Sequence, residues 1–89
     1  MLERTVTIAN RVGLHARPAA EFVKLAGHYR CDVKLTKDDL TVDGKSIMGV
    51  MMLAAGKGSE VILYADGEDE DESIQKLVEL INNRFNEDE

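Results

Sequence analysis

Cysteine, proline and histidine are almost absent from this sequence, at one, one and two residues. The single cysteine, Cys31, can close no disulfide within the chain, so packing must hold the fold, and a reducing, cytosolic compartment is expected. The two histidines, His15 and His28, fall in no metal-ligand spacing, and no Ser/His/Asp or Cys/His arrangement is written here. Neither a metal nor a cofactor is therefore expected. Also missing are an apolar run long enough to span a bilayer, an N-terminal apolar h-region, an internal repeat and a low-complexity linker; direct membrane insertion is not expected. Positive charge is scarce: 11 Lys and Arg stand against 17 Asp and Glu, a formal net charge of −6. A chain of that sign lacks the broad basic face that a phosphate backbone demands, which argues against a nucleic-acid partner.

What is there is one domain over residues 1–89, long enough to bury roughly 60–68% of its unfolded surface in a two-layer core. Leu2, Val6 and Ile8 alternate with Glu3, Thr5 and Thr7 at the period of a half-buried strand. After a loop at Asn10 to Gly13 the pattern turns helical from Ala16 to Gly27. Ala19, Phe22, Val23 and Ala26 share one face, and Arg17, Ala20, Lys24 and Gly27 another. Gly27 is placed to stop that helix. Cys31, Val33 and Leu35, then Leu40 and Val42 beyond Lys37-Asp38-Asp39, read as a hairpin. A short helix from Ser46 to about Ala54 follows, apolar almost all round, with Gly56 and Gly58 ending it. Val61 to Ala65 is a continuous apolar strand suited to the middle of a sheet. Ile74, Leu77, Val78, Ile81 and Phe85 form the stripe of a final helix. The order βαββαβα predicts an α+β domain with one four-stranded sheet and its helices layered on one face. A ferredoxin-like split βαβ arrangement fits the same order, and the pattern does not choose between strand orders.

The chemistry concentrates in Gly13-Leu14-His15-Ala16-Arg17-Pro18. First-turn N–H groups and the helix macrodipole favour negative charge, so a phosphoryl group on His15 would be stabilised there. The same field disfavours imidazolium and so favours the neutral, nucleophilic ring. Arg17 offers a planar donor fork to phosphoryl oxygens, and Pro18 suits a first turn, where its missing N–H leaves no bond unmade. A lone histidine at a helix start is more often a cap or packing residue; its neighbours here, and a second motif, argue otherwise. That motif is Gly44-Lys45-Ser46-Ile47-Met48-Gly49-Val50-Met51. Ser46 stands where an N-cap belongs, a role worth about 1 kcal/mol. Capping does not account for Ile47, Met48, Met51 and Met52 on several sides of a two-turn helix. Flexible, polarisable methionines suit a surface that docks onto more than one partner.

With Gly13 to Ala19, then Lys45 to Met51 and Lys57-Gly58, the sequence resembles over essentially its whole length the HPr family. These are the histidine-containing phosphocarriers of the bacterial phosphoenolpyruvate-dependent sugar phosphotransferase system. The resemblance implies an open-faced β-sandwich with sheet order 1-4-2-3 and three helices on one face. It implies that His15 receives a phosphoryl group on Nδ1 from enzyme I and passes it to IIA domains of sugar permeases, with Arg17 stabilising the phosphate. Such a protein is a carrier rather than a turnover enzyme. Ser46 resembles the site that HPr kinase/phosphorylase modifies with ATP in the regulated branch of the family, which adds that enzyme and a transcriptional regulator as partners. Ala16, Arg17, Ala20, Lys24 and Gly27, with Lys45, Ile47, Met48 and Met51, would then surround His15 as the partner surface. Arg17, Lys24 and Lys45 make it locally positive, so acidic partners would be steered to it. Two alternatives stand beside this reading. One is a regulatory binding module of the same fold switched by Ser46, disfavoured because such regulators replace the active histidine; the other is a nitrogen- or regulation-linked phosphocarrier. A carrier that presents one face to successive partners is expected to be a monomer. Elsewhere, Glu68 to Glu72 reads as the acidic start of the last helix, His28 as a surface residue, Cys31 as core, and residues 86–89 as a frayed tail.

Overall fold

A computed structural model of the chain describes residues 1–86. The elements are β1 (Leu2–Thr7), α1 (Ala16–Ala26), β2 (Asp32–Lys37), β3 (Leu40–Asp43), α2 (Ile47–Met52), β4 (Glu60–Asp66) and α3 (Glu70–Asn82). Every strand pairing is antiparallel and the sheet order is β1-β4-β2-β3. Periodicity left that order open; it is the one the family resemblance implied. β4 is central, with Val6 opposite Val61 on one side and Leu35 opposite Leu63 on the other.

The helices cover one face of the sheet. Phe22 and Ala26 of α1, Val50 of α2 and Ile74, Leu77 and Ile81 of α3 pack with Val33, Leu35, Val61 and Leu63 in one buried cluster. Each large apolar side chain so buried contributes about 1.5–3 kcal/mol. Among the described residues the opposite face is uncovered. Ile62 and Tyr64 of β4 point to it and are only half-buried, flanked across the sheet by Thr5 and Thr36 and by Glu3 and Lys34. The apolar run in β4 thus reflects a central position, without a second layer above it.

Local expectations shift at the element ends. Val23 is half-buried and packs against the core at the edge of the fully buried stripe of α1. Gly27 is the C-cap of α1 but keeps a right-handed φ of −66°, so the helix ends there without the left-handed turn that glycine usually supplies. α2 stops at Met52, earlier than expected, because Ala54 turns the chain with φ +51°. Phe85 is not on α3. The helix ends at Asn82, and Arg84, Phe85 and Asn86 take φ values of 57°, 55° and 65°. That left-handed turn folds Phe85 back into the core, where it is 1% exposed. Of the tail read as frayed, Asn86 donates its amide to the Asn83 carbonyl at 3.0 Å; residues 87–89 lie outside the described residues. Cys31 is buried and His28 exposed, as read from the sequence. Among the described residues no helix is long and apolar enough to cross a membrane.

Candidate functional site

The loop from β1 to α1 is held in place by the loop that leaves α2. The Ile8 amide donates to the Ser59 carbonyl at 2.9 Å, the Gly58 amide to the Ile8 carbonyl at 2.8 Å and the Leu14 amide to the Ala55 carbonyl at 2.9 Å. Asn10, fully buried, donates its Nδ2 to the Gly13 carbonyl at 2.8 Å. Gly13 has φ +72°, and a Cβ there would stand 2.3 Å from the Ala55 carbonyl oxygen. Only glycine permits both that conformation and that approach.

His15 emerges from this clamp as the N-cap of α1, with extended backbone angles of −82° and −169°. Its carbonyl accepts the Ala19 amide at 2.9 Å, which opens the helical ladder. Its side chain does not cap the helix; the ring is exposed, as are Ala16 and Arg17, while Pro18 packs inward. No acidic residue lies in the first turn of this 11-residue helix. An anion is favoured at such an end.

Beside His15 lies a shallow depression of about 250 Å³ lined by Val12, Leu14, Met51, Ala54, Ala55 and Gly56. Ser46 is the N-cap of α2, its Oγ accepting the Gly49 amide at 3.1 Å. Only Val50 of α2 is buried. Ile47, Met48, Met51 and Met52 are 44%, 76%, 40% and 65% exposed, so none of the four tucks into the core. An exposed histidine at an anion-favouring helix end, edged by an apolar patch, is the arrangement a covalent phosphoryl relay needs.

Comparison with known proteins decides the family. Residues 2–83 match the family model described as the PTS HPr component phosphorylation site. The chain belongs to the HPr family. It is 59% identical over 85 residues to the phosphocarrier protein HPr of Pseudomonas aeruginosa, covering 94% of each chain. It is 54% identical over 89 residues to that of Cupriavidus necator, covering both in full. Among solved structures, HPr-C-His from Thermoanaerobacter tengcongensis superposes with a TM-score of 0.96 at 46% identity over the full length of both chains.

Within this HPr-family fold the other candidate residues divide. Ala16 is exposed next to His15, Ala20 is half-buried, and Gly27 is exposed at the far end of α1. Lys24 is exposed but lines a separate depression with Glu21, Leu25, His28, Leu80 and Asn86, on the side of α1 toward α3. Lys45 is half-buried and its Nζ donates to the Tyr29 carbonyl at 2.7 Å. Four neighbours of His15 were missed from sequence: Val12, Ala54, Ala55 and Gly56. Val12, 50% exposed, left a signal as an isolated branched apolar residue in a polar loop. Ala54 left none, since its left-handed backbone is one that glycine would have announced.

At the opposite end of the sheet, Asp69 accepts the Arg30 amide at 2.8 Å and the Cys31 amide at 3.0 Å. Those amides, Arg30 foremost, hold its carboxyl below the ordinary aspartate value. Glu70 is likewise lowered, first by the Gly67 amide that donates to it at 3.0 Å. The acidic run is therefore partly spent on fastening backbone.

Proposed function

We propose that this HPr-family protein takes a phosphoryl group on His15 from phosphorylated enzyme I and passes it to IIA domains of sugar permeases. The observation that carries this is His15 itself: exposed, at the N-cap of α1, with no carboxylate in the first turn and an exposed apolar patch alongside. A ring nitrogen, Nδ1 by family resemblance, uses its lone pair to form the N–P bond while the donor's bond to phosphorus breaks and the donor keeps those electrons. The reverse exchange delivers the group. First-turn amides and the Arg17 guanidinium act on the non-bridging oxygens and meet their charge. The protein is a substrate of one partner and a donor to another, not a turnover enzyme, and it works as a cytoplasmic monomer.

Ala16, Ala20, Ile47, Met48 and Met51 form the contact surface, with Arg17 and Lys24 as its cations. Ser46 is the regulatory site for HPr kinase/phosphorylase: a phosphate there adds a charge of about −1.5 to −2 beside Met48 and Met51. Incubation with phosphoenolpyruvate and enzyme I should yield an acid-labile, base-stable phosphoryl group on the parent protein and none on His15→Ala. Equal labelling of the two would overturn the assignment.

A further inference from the structure

α2 spans six residues and buries only Val50. An isolated helix of that length is unstable in water, so what stands at its two ends sets its orientation. At its exit, Ala54 turns with φ +51° and the Ala55 carbonyl receives the Leu14 amide at 2.9 Å. At its entry, the Gly44 amide donates to the Val33 carbonyl at 2.7 Å, and the Lys45 amide to Asp43 Oδ1 at 2.9 Å. The longest reach at this entry is made by a side chain. Lys45 Nζ donates at 2.7 Å to the carbonyl of Tyr29, a residue just beyond α1 whose own amide donates to Ala26.

We propose that Lys45 is a positioning residue: its ammonium fastens the Ser46 end of α2 to the exit of α1 and so sets the angle at which α2 presents the exposed Met48 and holds Met51 beside His15. A charge-assisted bond on a half-buried stem is among the stronger ties available to a six-residue helix. The two ends of α2 then converge on α1 from opposite sides, through Leu14 ahead of it and Tyr29 behind it. The functional readout of this inference rests on the carrier reading above.

An ammonium has three donors, so the decisive measurement is one that a rim charge would move and a tether would not. Phosphorylation by enzyme I would be followed for the parent, Lys45→Met and Lys45→Arg at two ionic strengths, with amide exchange at Gly49 and Val50 recorded in parallel. Lys45→Met keeps the apolar stem and removes the ammonium. It should speed α2 exchange by about tenfold and raise KM several-fold with kcat nearly unchanged, leaving the salt dependence of KM as in the parent. Lys45→Arg should restore part of both effects. Lys24→Met, which removes an exposed cation, should instead flatten the salt dependence and leave α2 exchange alone. Lys45→Met behaving like Lys24→Met would overturn the proposal. If the parent itself takes no phosphoryl group, the carrier reading falls, while the exchange comparison still decides the tether.

Discussion

At the scale of single residues, the site separates what makes the chemistry from what makes the contact. In the proposed relay His15 and Arg17 act at the helix end, and Met48 needs only to be outside. It is 76% exposed, and substitutions at such positions usually change stability by less than about 0.5 kcal/mol. On the proposed contact surface Met48→Asp sets a carboxylate where desolvating it on binding is costly. Enzyme I affinity, measured by titration calorimetry, should fall about tenfold or more, with a melting temperature within a few degrees of the parent. A collapsed melting temperature would mean that Met48 is core after all. Ser46 responds differently because its Oγ already accepts the Gly49 amide. Aspartate is as good an N-cap as serine, so Ser46→Asp should keep the fold while setting a negative charge beside the docking methionines. Transfer to His15 at low enzyme I concentration should slow; equal rates for the two proteins would count against Ser46 as a switch.

Among the elements, those with a periodic apolar face were the most legible in the sequence, and the ties that hold one element to another were not. Ala19, Phe22 and Ala26 marked α1, and Ile74, Leu77 and Ile81 marked α3, because burial on one side writes itself at helical spacing. Phe85 continued the same spacing and still left the helix. Its left-handed turn is set by tertiary burial, which spacing does not encode. The site motif was legible because glycine, histidine, arginine and proline each have a restricted use at a helix start. The clamp of Leu14 on Ala55 and the reach of Lys45 to Tyr29 were not, since each joins segments that no local pattern relates. Asp69 shows the same gap at the start of α3. It occupies the N-cap position without capping, and instead binds the amides of Arg30 and Cys31 where β2 begins. Its carboxyl is depressed in the folded protein, so its stabilising effect is complete above the unfolded aspartate value, about 3.9. It is lost as pH falls through the lower, folded value. Asp69→Asn should therefore melt below the parent at neutral pH, and the two melting profiles should converge in acid. Parallel profiles down to the lowest pH would show that the charge of Asp69 is not what joins β2 to α3.

For the molecule as a whole, net charge and local charge point to different partners, and the sheet explains how both hold. β4 runs from Glu60, beside Thr7 where the His15 loop departs, to Asp66, beside Asp32. Its seven residues span about 20 Å at strand rise. The run from Asp66 to Glu72 follows at the far end, while Arg17 stands at the near one, two residues from His15. Screening at physiological salt falls off over about 8 Å, so on the proposed docking surface a partner at His15 meets Arg17 first, with Lys24 further along α1, and is scarcely affected by the acidic pole, although that pole sets the overall sign of −6. Two variants separate the cases. Arg17→Gln or Lys24→Gln should raise KM for enzyme I and flatten its salt dependence, whereas Glu68→Gln combined with Asp71→Asn, both exposed, reduces the net negative charge by two units and should leave that dependence as in the parent. If the double variant tightens the interaction as strongly as a cation loss weakens it, steering follows total charge, and the separation of the two poles along β4 has no functional weight.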